Sequence, residues 1–401
     1  MTNSVVQDPT DHAPSLPLDG LIVLDLTIAR AGPTAVRHLA DWGADVIQIV
    51  PPSTAAAGIG HQTADYLNLN RNKRSLTLDL KTDDGRRILH GMVARADIFV
   101  ENMRPPIKHK LGFDWETLSA INPRLVMGSI SGFGQTGPYA DRGGVDQIAQ
   151  GLGGMMSVTG LPGQGPVRAG VAISDVTAGL QLAVGLLVAI YERERTGRGR
   201  YVQTSLLESM VAMLDFQAAR YTVDGEVPPQ EGNHHPTMAP MGMYSTRDGF
   251  VNIAAPWGRL WSTLCEVVER PDLENDERFT TPMLRSTNRE ALNEELAASL
   301  MSRTTSEWVE AMNAAGIPSG PVNDVAQTFA DPQVRHLGIA TPVQHPEKGE
   351  VQILRNATHL EGVPSEIRRP APAPGEQSDE ILREFGLSEA EIRTLRSSGV
   401  I

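Results

Sequence analysis

The sequence predicts an α/β protein in which a large domain built on a Rossmann-like parallel sheet is joined to a second, smaller α/β domain. Up to Ser131, short β-branched and leucine-rich runs alternate with helical stretches, and strands separated by helices pair in parallel through right-handed crossovers. After Tyr221, the segment VDGEVPPQEGNHHPTMAPMG breaks that rhythm with proline, glycine and histidine, a composition that marks a boundary. Beyond it come a hairpin, three helices and then short strands again. The expected division is a flexible tail at 1–16, the large domain over 17–222, the small domain over 223–330, and a C-terminal part at 331–401.

The first strand is read at Leu21–Leu26, where LIVLDL is leucine- and β-branched-rich. A helix at Thr34–Trp42 follows Pro33, a residue suited to a first helical turn. Further strands are expected at Asp45–Val50, Ser75–Leu80, Asp97–Glu101 and Leu125–Ser131, with a helix at Asp83–Ala94. The turn after the first strand reads TIARAGPTAV, with one glycine where a nicotinamide site needs G-x-G-x-x-G, and the chain has no Gly-Lys-Ser or Gly-Lys-Thr of a phosphate loop. No nicotinamide cofactor is therefore expected. Ligands of such sheets still sit beyond the carboxyl ends of the strands, which points to the turns after Leu26, Val50 and Glu101.

Ser131–Gly170 is glycine-rich, and glycine permits close backbone approach, which suits a ligand passing the main chain as well as ordinary tight turns. It leads to Asp175, at the head of the most apolar stretch, Val176–Ile190, whose apolar residues fall on every face. That pattern reads as a buried helix. A carboxylate opening it accepts first-turn N–H groups and feels the positive end of the helix dipole. Asp175 is thus expected to be ionised, as either a helix cap or a nucleophile. Arg193, Arg195 and Gly197 suit the far end of this helix.

Later elements are a helix at Ser205–Tyr221, a hairpin at Met243–Ala255 with an Asp-Gly turn, and helices at Leu260–Glu269, Arg289–Met301 and Thr305–Ala314. Short strands at Ala340–Val343 and Glu350–Leu354 precede terminal helices near Asp379–Phe385 and Ser388–Arg396. His234 and His235 are adjacent, a poor metal geometry, so they read as a solvated linker pair and no metal site is expected. Cys265 is the one cysteine, which excludes an intramolecular disulfide and suits a small buried residue.

At 401 residues, with 40% apolar and 21% charged residues, the chain has the composition of a globular protein with ample core. A net charge of −13 argues against nucleic acid, whose phosphates need a basic face. No uncharged run of eighteen apolar residues suggests a membrane span. The acidic start, MTNSVVQDPTDHAPSLP, lacks the basic and apolar regions of a secretory signal, so a cytoplasmic location is expected.

The pieces PVRAG, ISDVTAGL, RTGRGR and VQTSLLES resemble the class III CoA-transferase family, of CaiB/BaiF type, which includes formyl-CoA and carnitine CoA-transferases. LDGLIVLDLT, AGP, GADVIQI, NRNKRSLTLDLK, VENMRP, DGFVNIAA, AGIPSGPVND and DPQV stand in the family's order from Leu18 onward. The resemblance implies an interlocked homodimer whose C-terminal part rejoins the large domain. It implies an enzyme that moves CoA from an acyl-CoA, possibly succinyl-CoA, to a free carboxylic acid, with no metal or nicotinamide. Asp175 would carry mixed-anhydride and aspartyl-CoA intermediates. Arg30 and Ala31 match the turn that holds pantetheine in formyl-CoA transferase. Leu78, Lys81, Asn102, Met103 and Lys110 match its nucleotide contacts, and Asp146 matches an acidic residue near the reacting acyl group.

There are departures. Arg30 replaces a Gln-like residue, which would favour an acyl group with a second carboxylate. Val50-Pro51 stands where a phosphate-binding arginine is expected nearby, leaving Arg71 or Arg74 as the substitute. The GGGGQ loop of formyl-CoA transferase is absent, which argues against formate and oxalate. Two rivals share the scaffold. An α-methylacyl-CoA racemase needs a histidine where Val145 precedes Asp146, and a non-catalytic acyl-CoA-binding protein would use Asp175 only as a cap.

Overall fold

The computed structural model describes residues 16–57 and 60–401; the tail expected at 1–16 lies outside them apart from Leu16. The chain divides into two compact units. One comprises the chain up to Met155 with Ala169–Ala219 and Gly338–Ile401; the other comprises Met156–Arg168 and Arg220–Leu337.

The first unit is organised on a six-stranded sheet: β1 (Ile22–Leu26), β2 (Asp45–Val50), β3 (Lys73–Thr77), β4 (Ile98–Glu101), β5 (Val126–Ser131) and β6 (Tyr201–Ser205). The order is β3-β2-β1-β4-β5-β6, and every pairing is parallel. Successive side chains of a strand face opposite ways, and both faces here are apolar. Leu24, Ile47, Leu76, Phe99 and Met127 join one core with Ile88, Leu89 and Met92. Val23, Val46, Ile98, Val100 and Val126 join another with Val36, Leu39, Leu182 and Leu186. Such two-sided burial is what parallel sheets require.

β3 starts earlier than the sequence suggests because the apparently polar Lys73 is buried, with its Nζ 2.9 Å from Asp25 Oδ2. β6 escaped the sequence reading because it is an edge strand with one deeply buried residue, Ser205. The C-terminal segment enters the first core through Ile381, Leu382, Ile392, Leu395, Val400 and Ile401. There the Asp79 N–H donates to the Val400 carbonyl at 2.8 Å.

The apolar stretch after Asp175 forms one helix, Ile173–Thr196, and the expectation of burial all round is corrected. Leu182, Ala183, Leu186 and Ala189 are buried, whereas Leu180, Val184, Val188 and Tyr191 form an exposed stripe at helical spacing. Among the described residues it is the one helix long and apolar enough to cross a membrane by length and composition. Its buried side fits the Ala31–Asp41 helix closely: a Cβ on Gly179 would lie 2.6 Å from the Ala31 carbonyl oxygen and 2.7 Å from Thr34 Cβ. The helix expected at Ser205–Tyr221 is two, Leu206–Met213 and Phe216–Asp224, separated where Asp215 takes a φ of 46°.

In the second unit, β7 (Met241–Ser245), β8 (Phe250–Ala254) and β9 (Ser319–Pro321) form an antiparallel sheet in that order. Asp248 and Gly249 make the turn of the β7–β8 hairpin, as the sequence predicts. Trp261, Leu264, Leu292, Leu296 and Trp308 fill its core with Cys265, and burial pushes that thiol up to about 12. The histidine pair is not simply solvated. His234 packs edge-on against Tyr244 at 5.5 Å between ring centroids, and His235 Nδ1 accepts the Thr237 N–H at 3.3 Å. Desolvation lowers the pKa of both rings.

Candidate active site

The site begins at the turn after β1. Asp25 is fully buried; its Oδ1 accepts the Thr27 N–H at 2.9 Å and hydroxyl at 2.5 Å, while Oδ2 takes Lys73. Next, the Ile28 N–H donates to Asn102 Oδ1 at 2.9 Å, and the Ile28 carbonyl accepts from Asn102 Nδ2 at 2.7 Å. Asn102 follows β4, so this pair of hydrogen bonds ties two loops at the topological switch point between β1 and β4, where open parallel sheets bind ligands. Anchored on both sides, Ala29 takes a φ of 62°, a left-handed conformation that costs a non-glycine residue about 1–2 kcal/mol. Arg30 then occupies the N-cap position of the Ala31–Asp41 helix, with its guanidinium 2.7 Å from Asp65 Oδ1.

Asp175 does not open its helix. The helix starts at Ile173 after Ala172, and Asp175 lies in the first turn with no side-chain cap bond. One residue before it, the Ser174 N–H bonds Asp146 Oδ1 at 3.0 Å. The Asp175 carboxylate is half-buried, and among the described residues no hydrogen bond to it is found. Burial first, and the Asp146 charge second, push its carboxyl from 3.8 up to about 6, against the opposing charge of Arg30. The expectation of a carboxylate held ionised at a helix start is corrected in degree: desolvation and a like charge make it more basic than an ordinary aspartate.

Asp146, grouped by resemblance with the CoA contacts, sits beside Asp175. It begins the Asp146–Leu152 helix and is 7% exposed. Its Oδ1 also accepts the Ser174 hydroxyl at 2.9 Å, and its Oδ2 accepts from Gln150 Nε2 at 2.8 Å. Ser174 and Gln150 escaped the sequence reading. The signal for Ser174 was its place directly before an acid at a helix start; Gln150 had none, because its role depends on the fold.

A cleft of about 310 Å³ opens at the carboxyl ends of the strands, lined by Leu26, Ile49, Val50, Leu78, Lys81 and Met103 among others. Three of the matched positions, Leu78, Lys81 and Met103, therefore meet in one place. Leu111 and Gly399 also line it, with the Pro51-Pro52 pair. Lys110, exposed, immediately precedes Leu111 but does not itself line the cleft. Neither proposed substitute cation reaches it. Arg71 is buried, with Nη2 2.6 Å from Asp41 Oδ2, and Arg74 is held by Asp45, Glu380 and Glu384. Their commitment to buried or multiple ion pairs explains why charge alone misplaced them.

A parallel sheet of this order, a cleft at its carboxyl ends and a half-buried carboxylate with no hydrogen bond among the described residues are the parts of an α/β enzyme site. The chain belongs to CoA-transferase family III, whose model matches residues 18–378, and is a transferase that works on CoA thioesters and carboxylic acids. It is 33% identical over 393 residues to the human succinyl-CoA:glutarate CoA-transferase, covering 96% of this chain and 90% of that one. To the acetyl-CoA:oxalate CoA-transferase of Acetobacter aceti it is 35% identical, covering 96% and 100%. A succinyl-CoA:mesaconate CoA-transferase of Haloarcula hispanica is 37% identical, with 92% and 96% covered. Among solved structures, a CaiB/BaiF family protein from Brucella suis superposes with a TM-score of 0.82 at 35% identity, over 93% of this chain and 100% of that one.

Proposed function

We propose that the protein exchanges CoA between two carboxylic acids through covalent intermediates on Asp175, with dicarboxylic acids as the substrate class. The observation that carries this reading is the Asp175 carboxylate, which is half-buried, free of hydrogen bonds among the described residues and raised to about 6. A carboxylate occupied as a cap would be a poor nucleophile; this one keeps its lone pairs and its basicity.

An Asp175 oxygen attacks the thioester carbon of the donor, the carbon–sulfur bond breaks, and CoA leaves as thiolate. The thiolate attacks the Asp175 carbonyl of the resulting anhydride, releasing the donor acid as its carboxylate and leaving an aspartyl-CoA thioester. The acceptor carboxylate attacks that thioester and expels the thiolate again. Thiolate attack on the acceptor's acyl carbon then gives the new acyl-CoA and regenerates Asp175. No proton is gained or lost across the cycle, and each intermediate keeps about the energy of a thioester. CoA would lie in the cleft at Leu78, Lys81 and Met103, with its pantetheine passing the Thr27–Ala31 turn toward Asp175.

The acid class is supported by Arg30, a cation whose charge reaches Asp175, and by the dicarboxylic acids in the relatives' names. A homodimer is supported by the apolar stripe of Leu180, Val184, Val188 and Tyr191, a surface that water disfavours; the interlocking is carried by the family resemblance alone. The racemase reading lacks its second base, since Val145 precedes Asp146 and both Asp146 oxygens are hydrogen-bonded. The test is Asp175→Ala with succinyl-, acetyl- and oxalyl-CoA against a panel of free acids. The variant should bind acyl-CoA and lose exchange, and the wild type should gain a hydroxylamine-sensitive mass on the Asp175 peptide. An active alanine variant would remove the covalent mechanism.

A further inference from the structure

Asp146 is an unusual residue to find next to a reacting carboxylate. It is 7% exposed, and its one described ring of partners consists of hydrogen-bond donors. The Ser174 N–H and hydroxyl reach its Oδ1 at 3.0 and 2.9 Å, and Gln150 Nε2 reaches its Oδ2 at 2.8 Å. Donors of this kind stabilise the charged form of a carboxylate. Two of them belong to the residue immediately before Asp175.

Gln150 extends the arrangement. From the next turn of the same short helix, its Nε2 also donates to the Val171 carbonyl at 3.2 Å, and its Oε1 accepts the Ala169 N–H at 2.9 Å. Asp146 and Gln150 together hold the main chain at residues 169, 171 and 174, the whole approach to Asp175. Among the described residues, the charged groups found to act on Asp175 are Asp146 from this helix and Arg30 from the N-cap of the Ala31–Asp41 helix.

We propose that Asp146 is a positioning residue for Asp175: its buried carboxylate latches the first turn of the Ile173–Thr196 helix through Ser174, and its negative charge makes the neighbouring carboxylate a stronger nucleophile. This rests on Asp175 being the nucleophile. Two like charges close together cannot both be stabilised as well as one. Here Asp146 is the hydrogen-bonded member, and Asp175, with no hydrogen bond among the described residues, retains the basicity that attack on a thioester needs. The positive charge of Arg30 limits the effect.

The experiment is the pH profile of kcat/KM for wild type, Asp146→Asn and Ser174→Ala, using whichever of succinyl-, acetyl- and oxalyl-CoA is exchanged fastest. Asparagine keeps an acceptor for Ser174 but loses the charge. Its acid limb should move down from about 6 by roughly half to one pH unit, because Asp146 is the second of two raising causes, and its plateau kcat should fall at least about threefold. Ser174→Ala removes one bond of the latch and keeps the charge, so its kcat should fall while its acid limb does not move down and KM for the acyl-CoA is unchanged. An Asp146→Asn limb that stays or rises, in an enzyme that Asp175→Ala still inactivates, overturns this inference and leaves the covalent mechanism standing. Should Asp146→Asn fail to fold, Ser174→Ala decides: a kcat equal to wild type overturns the latch.

Discussion

Replacing Asp175 with asparagine should abolish exchange and make the protein more stable at neutral pH. In the folded chain the carboxyl is raised from 3.8 to about 6 by burial and by Asp146. A raised carboxyl means that the folded state binds more protons than the unfolded one between those values, so stability falls as pH rises across that window. Two pH units correspond to about 3 kcal/mol at 1.36 kcal/mol each. Asp175 is only half-buried, and solvent screening reduces this to roughly 1–2 kcal/mol. Asparagine, nearly isosteric and uncharged, should recover that amount at pH 7.5 and almost none at pH 3.5, where the wild-type carboxyl is protonated in the folded state and largely so in the unfolded one. Urea denaturation of both proteins at both pH values measures it. An asparagine variant that is less stable at pH 7.5, or one stabilised equally at both, would refute the reasoning. Activity runs the other way: attack needs the ionised form, so wild-type kcat/KM should fall about tenfold per unit below pH 6.

Asp25→Ala should cost about 3–5 kcal/mol, because it leaves the fully buried Lys73 ammonium without its counter-charge; a loss under 1 kcal/mol in urea denaturation would show that Asp25 does not anchor the turn before Arg30. The exposed stripe on the Ile173–Thr196 helix should be covered by a second copy. Light scattering should give twice the mass of one chain, with no exchange of labelled subunits short of unfolding; a monomer, or ready exchange in native buffer, would count against interlocking.

Sequence alone was enough for the parallel α/β rhythm, since near-continuous apolar runs between helical stretches belong to strands buried on both faces. It placed Asp45–Val50 and Thr305–Ala314 to the residue, because each is bounded by strong local signals, and it singled out Asp175 as the one acid before an apolar helix. Ordered motifs from Leu18 onward were sufficient for the family. What a linear reading could not supply was the competition between partners. Only the folded chain shows that Asp146 takes the Ser174 N–H and hydroxyl, and that Asp175 has no hydrogen bond among the described residues. Only there do Arg71 and Arg74 meet the carboxylates that keep them from the cleft. The same holds for Gly399, brought to the cleft wall from the far end of the chain. Composition records which charges a protein has; hydrogen bonding and burial, which join residues distant in sequence, decide which of them remain available for chemistry.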